Sequence, residues 1–144
     1  MANEIAVKVE DVSFTYPDGH EVLKSISCTM RHGEKIALIG PNGAGKSTFM
    51  SLLNGVEMPT AGKVTIGGLE ISKENLNQIR RKVGIVFQDP DDQLFCPTVF
   101  DDVAFGPLNL GLSPTDALTR ARTVLKRVGM AHALERAPYH LSAG

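Results

Sequence analysis

Residues 40–48, Gly40-Pro41-Asn42-Gly43-Ala44-Gly45-Lys46-Ser47-Thr48, fit the phosphate-binding pattern G-x-x-x-x-G-K-[ST]. The pattern constrains the fold because it works only at the turn between a strand and a helix. Both neighbours can be read beside it. Ile36, Ala37, Leu38 and Ile39 make a short apolar run of the kind expected for a parallel strand covered on both faces. Phe49, Leu52, Leu53 and Val56 follow the loop at helical spacing. The glycines remove side chains so that backbone N–H groups can turn inward around phosphate. The helix that starts near Lys46 aims the positive end of its dipole at the same charge. Lys46 is expected to reach the β- and γ-phosphates, Ser47 to offer its hydroxyl to Mg²⁺, and Thr48 to stand next in line for the α-phosphate.

The 144 residues are one domain's worth of sequence or part of a domain. Fifteen basic and sixteen acidic residues give a net charge of −1, so no bulk attraction points to nucleic acid or to an anionic membrane surface. Cys28 and Cys96 lie far apart without metal spacing, which fits a reducing cytosol. His20, His32, His132 and His140 also lack ligand spacing. No apolar run approaches the ~18 residues of a membrane span, and the first residues carry no secretion signal.

Along the chain, Ile5, Val7 and Val9 alternate with polar residues, then Val12, Phe14 and Tyr16 alternate in a shifted phase. That shift predicts a bulge at Glu10-Asp11. A turn at 16–20 and a second alternating stretch through Ile26, Cys28 and Met30 make the first third antiparallel strands that feed the phosphate loop. Residues 62–68 read as a strand ending in a glycine turn, 74–82 as a polar helix, and 83–87 as a second buried strand ending at Gln88. Ligands in open α/β sheets sit off the carboxyl ends of strands, so Gly40 and Gln88 are expected to face one ligand. Ser113-Pro114 caps an amphipathic helix with an apolar stripe of Ala117, Leu118, Ala121, Val124, Leu125 and Val128. Arg120, Arg122, Lys126 and Arg127 form its solvated face.

With these motifs in order, the chain resembles the nucleotide-binding subunits of ABC transporters over essentially its whole length. The likeness rests on Tyr16 at the end of an early strand, the phosphate loop, Gln88 some forty residues later, and Leu141-Ser142-Ala143-Gly144 after a helical stretch. It implies that Tyr16 stacks on adenine and that Gln88 helps hold Mg²⁺ and the attacking water. It also implies that residues 141–144 are a signature contacting the γ-phosphate of ATP on a second subunit, head to tail, in a homo- or heterodimer. Alanine at 143 departs from the family's usual glycine.

A narrower likeness, carried by residues 86–95 and 103–107, is to the cobalt-importer and energy-coupling-factor branch. It implies ATP-driven uptake of a transition metal ion, cobalt or nickel, or of a vitamin. Its partners would be a transmembrane coupling component and a substrate-binding membrane subunit, with no nucleic acid. The chain would lie in the cytoplasm, peripheral on the inner face of the cell membrane. Asp89, Asp91 and Asp92, with Leu94 and Phe95 after them, would meet a coupling helix. Read from the residues alone, the acids are by default a solvated acidic loop and Tyr16 a strand residue packing in a core.

The expected fold is therefore α/β, a phosphate-loop NTPase core of the ABC ATPase type with an N-terminal antiparallel β portion. Residues 1–88 would hold the β portion and the loop core, and 89–144 the start of the helical subdomain. The family's catalytic carboxylates are expected downstream of Gly144, which makes these residues the N-terminal portion of a longer ATPase, inactive alone. The competing readings are a non-catalytic nucleotide-binding module and a soluble ABC ATPase outside transport.

Overall fold

The computed structural model describes residues 4–89 and 92–141. The chain divides into two compact units, Met1–Ile85 and Val86–Gly144.

The first unit is built on a four-stranded antiparallel sheet. Its strands are β1 (Ile5–Thr15), β2 (Glu21–Arg31), β3 (Ala61–Ile66) and β4 (Leu69–Glu70), in the order β2-β1-β3-β4. β1 lies between β2 and β3, and it carries the bulge that the phase shift demands. Pairing jumps from Val9↔Cys28 to Val12↔Ile26 on one side and from Glu10↔Lys63 to Ser13↔Ala61 on the other. Asp11 sits at the jump with φ +47°, and its carboxylate accepts a 3.0 Å bond from the Ser27 hydroxyl. Val9 and Val12, three residues apart, would face opposite sides of a regular strand. The extra residue turns both into the core. Gly62 lies against this bulge at φ +79°, where a Cβ would strike the Asp11 carbonyl oxygen and come within 2.5 Å of the Asp11 carbonyl carbon.

α1 (Lys46–Leu53) packs Phe49, Leu52 and Leu53 into a core with Phe14, Leu23, Val64 and Ile79. Burying each such side chain contributes roughly 1.5–3 kcal/mol, which holds a helix too short to persist alone. The helix ends at Leu53, so Val56 falls beyond it and is exposed. α2 (Leu76–Arg80) realises the polar helix in shorter form, anchored by buried Ile79.

Two sequence expectations fail in this region. Residues 36–39 and 83–87 are not strands. Ile39 is 89% and Val86 93% exposed. A parallel strand exists only as a ladder with a neighbour. Among the described residues, all strand pairs are antiparallel and join β1–β4, so neither apolar run has one. The equivalence of Gly40 and Gln88 as strand ends goes with them.

The second unit contains α3 (Val99–Asn109) and α4 (Pro114–Arg127), which pack together, and 3₁₀ turns at Ala131–Ala133 and Pro138–His140. Both helices open with reciprocal caps. Thr98 Oγ1 accepts from the Asp101 N–H at 3.1 Å and donates to the Asp101 carboxylate at 2.7 Å. Ser113 does the same with Asp116 at 3.1 and 2.7 Å. α4 buries Ala117, Ala121 and Leu125, while Leu118, Val124 and Val128 remain exposed, so the apolar stripe is narrower than its sequence suggests. Arg122 is not simply solvated, since its guanidinium lies 4.6 Å from the centre of the Phe100 ring, a cation–π contact.

Candidate functional site

The phosphate loop leads into α1 with Gly45 as N-cap in the left-handed region, φ +82°. No side chain caps this terminus, which leaves the first amides of the helix as donors for an anion. No acidic residue stands in the first turn to compete for that role. Gly43, at φ +80°, has nothing within 4 Å of where a Cβ would be. At Gly45 a Cβ would lie 2.8 Å from both Val22 Cγ1 and Leu23 Cδ2, so the loop rests directly on β2. Two glycines are thus required for different reasons, one by conformation alone and one by conformation and contact. The Ala44 N–H donates to the Pro41 carbonyl at 3.3 Å, closing the turn around Asn42 and Gly43. Gly40 begins it and packs near Ala44.

Lys46 arches back over the loop and donates to the carbonyl oxygens of Gly40 at 2.9 Å and Pro41 at 2.7 Å. An ammonium held this way by two neutral acceptors is available to anionic oxygens, which bind it more strongly. Ser47 stands on the first turn of α1. Thr48 is buried, and its Oγ1 lies 2.9 Å from the Tyr16 hydroxyl. Tyr16 follows the end of β1, its ring edge-on to Phe14 with centroids 4.9 Å apart. The structure therefore brings Tyr16, Lys46, Ser47 and Thr48 together around one loop. The Tyr16–Thr48 contact spans 32 residues and was not legible in any local pattern.

A cleft of about 340 Å³ beside the loop has mostly apolar walls, including Leu23, Ile26, Met30, Ile36, Leu38 and Ile39. That lining suits packing and not a triphosphate. Among the described residues no three His, Cys, Asp or Glu side chains gather as a metal site.

Gln88 and Asp89 belong to the second unit and are exposed, as is Asp92. Leu94 and Phe95 are exposed too, with Phe95 edge-on to Phe105 at 4.7 Å. Asp102 fixes this segment by accepting from the Phe95 and Cys96 N–H groups at 3.3 and 3.1 Å. Burial first, and then the hydrogen bond and negative charge of Asp102, push the Cys96 thiol above its ordinary pKa. Asp102 is a residue the sequence did not single out. The neighbouring Thr98-x-x-Asp101 is a capping pattern that could have been read. Leu141 is half-buried at the end of the described chain, whereas Asp91, Ser142, Ala143 and Gly144 lie outside the described residues.

A glycine-lined loop opening a helix, with a lysine folded over it and an antiparallel β portion behind, defines a phosphate-loop nucleotide-binding protein of the ABC type. Residues 23–144 match the ABC transporter family, to which this chain belongs. It is 52% identical over 140 residues to the energy-coupling factor transporter ATP-binding protein EcfA of Methanothermobacter thermautotrophicus, covering 96% of this chain and 45% of that protein. It is 49% identical to the EcfA of Carboxydothermus hydrogenoformans, covering 97% and 52%. Among solved structures it is similar to CbiO1 of Clostridium perfringens, described as part of the ABC transporter complex CbiONQ. There the TM-score is 0.82 at 37% identity, with 97% of this chain and 57% of that one covered. The chain spans about half the length of the curated relatives it matches.

Proposed function

We propose that this chain supplies the ATP-binding portion of an energy-coupling-factor importer subunit, one that uses ATP to power uptake of a transition metal ion, cobalt or nickel, or of a vitamin. The observation that carries the reading is the loop itself: Lys46 folded over Gly40 and Pro41, left-handed glycines at 43 and 45, and an uncapped helix N-terminus. Each residue has a task that follows from its chemistry. Backbone N–H groups of the loop and first turn donate to the phosphate oxygens, Lys46 exchanges its carbonyl partners for β- and γ-phosphate oxygens, and Thr48 donates to the α-phosphate. Ser47 would offer its hydroxyl to Mg²⁺, a role that the family resemblance also implies for Gln88, and the ion would supply positive charge to neutralise the phosphates. Tyr16 would present a ring face to adenine.

The resemblance to EcfA proteins and to CbiO1 supports the importer reading over a soluble ABC ATPase. On that reading a second ATPase subunit binds head to tail and presents its own copy of residues 141–144. Asp89, Asp91, Asp92, Leu94 and Phe95 meet a basic amphipathic helix of the membrane component. The family resemblance would place the chain peripherally at the inner face of the membrane; among the described residues no helix is long and apolar enough to cross one.

Lys46→Ala tests the central claim. Losing a charge-assisted contact costs roughly 1.5–3 kcal/mol, so MgATP affinity should fall on the order of tenfold to a hundredfold by calorimetry. Equal affinity in variant and parent would sink the nucleotide assignment.

A further inference from the structure

We propose that the Tyr16 hydroxyl is a positioning group for the phosphate loop, acting through Thr48 and separately from any stacking by the Tyr16 ring. The proposal rests on reading residues 40–48 as the nucleotide site. Thr48 is the one buried polar side chain among the described residues, at 8% exposure, and Tyr16 is its side-chain partner at 2.9 Å. The arm that carries this hydroxyl is rigid. The Tyr16 N–H donates to the His20 carbonyl and the Gly19 N–H to the Tyr16 carbonyl, both at 2.9 Å, and the ring edge meets Phe14.

A threonine in a helix divides its hydroxyl between rotamers, one of which bonds back to the preceding turn. The tyrosine contact selects one rotamer before any ligand arrives. A threonine hydroxyl has one proton to donate and two lone pairs to accept with. Either oxygen can be the donor between Tyr16 and Thr48. An anionic phosphate oxygen settles the direction, because it can only accept. Tyr16 then donates to Thr48, and Thr48 donates to phosphate. Hydrogen bonds chained in this way polarise one another, so the phenol strengthens a grip on phosphate that it does not touch.

Phenylalanine at position 16 keeps the ring and removes the donor, which separates the two roles. Tyr16→Phe, Thr48→Val, Thr48→Ser and the Tyr16→Phe/Thr48→Val double variant would be titrated with MgATP by calorimetry, with Lys46→Ala as control. A neutral hydrogen bond of this kind should make Tyr16→Phe about two- to tenfold weaker. The double variant should be no weaker than Thr48→Val alone, and Thr48→Ser should bind within about twofold of the parent because it retains the relay. A Tyr16→Phe protein that binds MgATP as tightly as the parent, or effects of the two single variants that multiply independently, would overturn the proposal. Absence of binding in the parent, or binding unaffected by Lys46→Ala, would instead refute the nucleotide reading and this inference with it.

Discussion

Gly45→Ala compared with Gly43→Ala isolates the packing of the phosphate loop on β2 from the cost of its backbone shape. Both glycines hold nearly the same left-handed conformation, φ +82° and +80°. An L-residue there costs roughly 1–2 kcal/mol, partly offset by about 0.4–1 kcal/mol because alanine restricts the unfolded chain. For Gly43 that is the whole account, since its Cβ would meet nothing within 4 Å. The net loss should be about 0.5–1 kcal/mol. At Gly45 the new methyl would lie 2.8 Å from Val22 Cγ1 and Leu23 Cδ2 and 3.3 Å from the Val22 carbonyl oxygen. The two side-chain ends can give way, but the backbone oxygen and buried Leu23 limit how far, and overpacking of this type adds roughly 1–3 kcal/mol. We expect Gly45→Ala to be destabilised by about 2–4 kcal/mol in total. Urea unfolding of both variants reads the difference as a shift in midpoint at constant slope. With a slope near ~1.5 kcal/mol/M, Gly45→Ala should unfold about 1–2 M earlier than Gly43→Ala. Equal midpoints would show that the contact with β2 carries no weight and that conformation alone demands both glycines.

Three further outcomes are expected. Ser113→Ala removes both halves of the α4 cap and should cost about 1 kcal/mol in urea unfolding, with Ser113→Thr, whose hydroxyl both accepts and donates, restoring most of it; no loss would mean the cap is idle. Asp102→Asn removes the negative charge that, after burial, holds the Cys96 thiol above its ordinary pKa. More thiolate is then present at a given pH, and iodoacetamide should modify Cys96 faster at pH 8, whereas an unchanged rate would refute the electrostatic coupling. In the full-length protein with its membrane partners, Leu94→Ser with Phe95→Ser should reduce co-purification of the complex while leaving MgATP affinity intact. The reverse pattern would place this segment in the nucleotide site.

Features written in local chemistry were readable before the structure. The bulge at Asp11 follows from a phase slip among Val9, Val12 and Phe14, and the start of α4 from Ser113-Pro114. The loop announces itself through glycine spacing and Lys46. Apolar content, by contrast, reports a preference for burial and says nothing about whether a pairing partner exists, so Ile36, Leu38 and Ile39 and the run from Val83 to Phe87 were misassigned as strands. α3 was not singled out from the sequence, and it carries Pro107 in its last turn, where a proline disturbs the helix less than at its centre. Tyr16 with Thr48 depends on tertiary closure that no short window contains, whereas Asp102 with Phe95 and Cys96 closes a local loop of six to seven residues that residue types alone do not announce. The two parts of the candidate site therefore differ in origin, the cradle being local and its bracing long-range.

The way the loop is braced also orders events in time. Its contacts run to Val22 and Leu23 on β2 and to Tyr16 beyond β1, all within a hairpin closed by the short turn at 16–20. β3, which joins β1 from the far side, arrives only after α1 has been made. Closing a short loop demands less entropy than closing a long one, and near neighbours in sequence meet first. A growing chain can consequently seat the phosphate cradle on its hairpin while β3 is still being synthesised. Pulse-labelled hydrogen exchange during refolding should find the amides of Phe49 and Leu52 protected no later than those of β3.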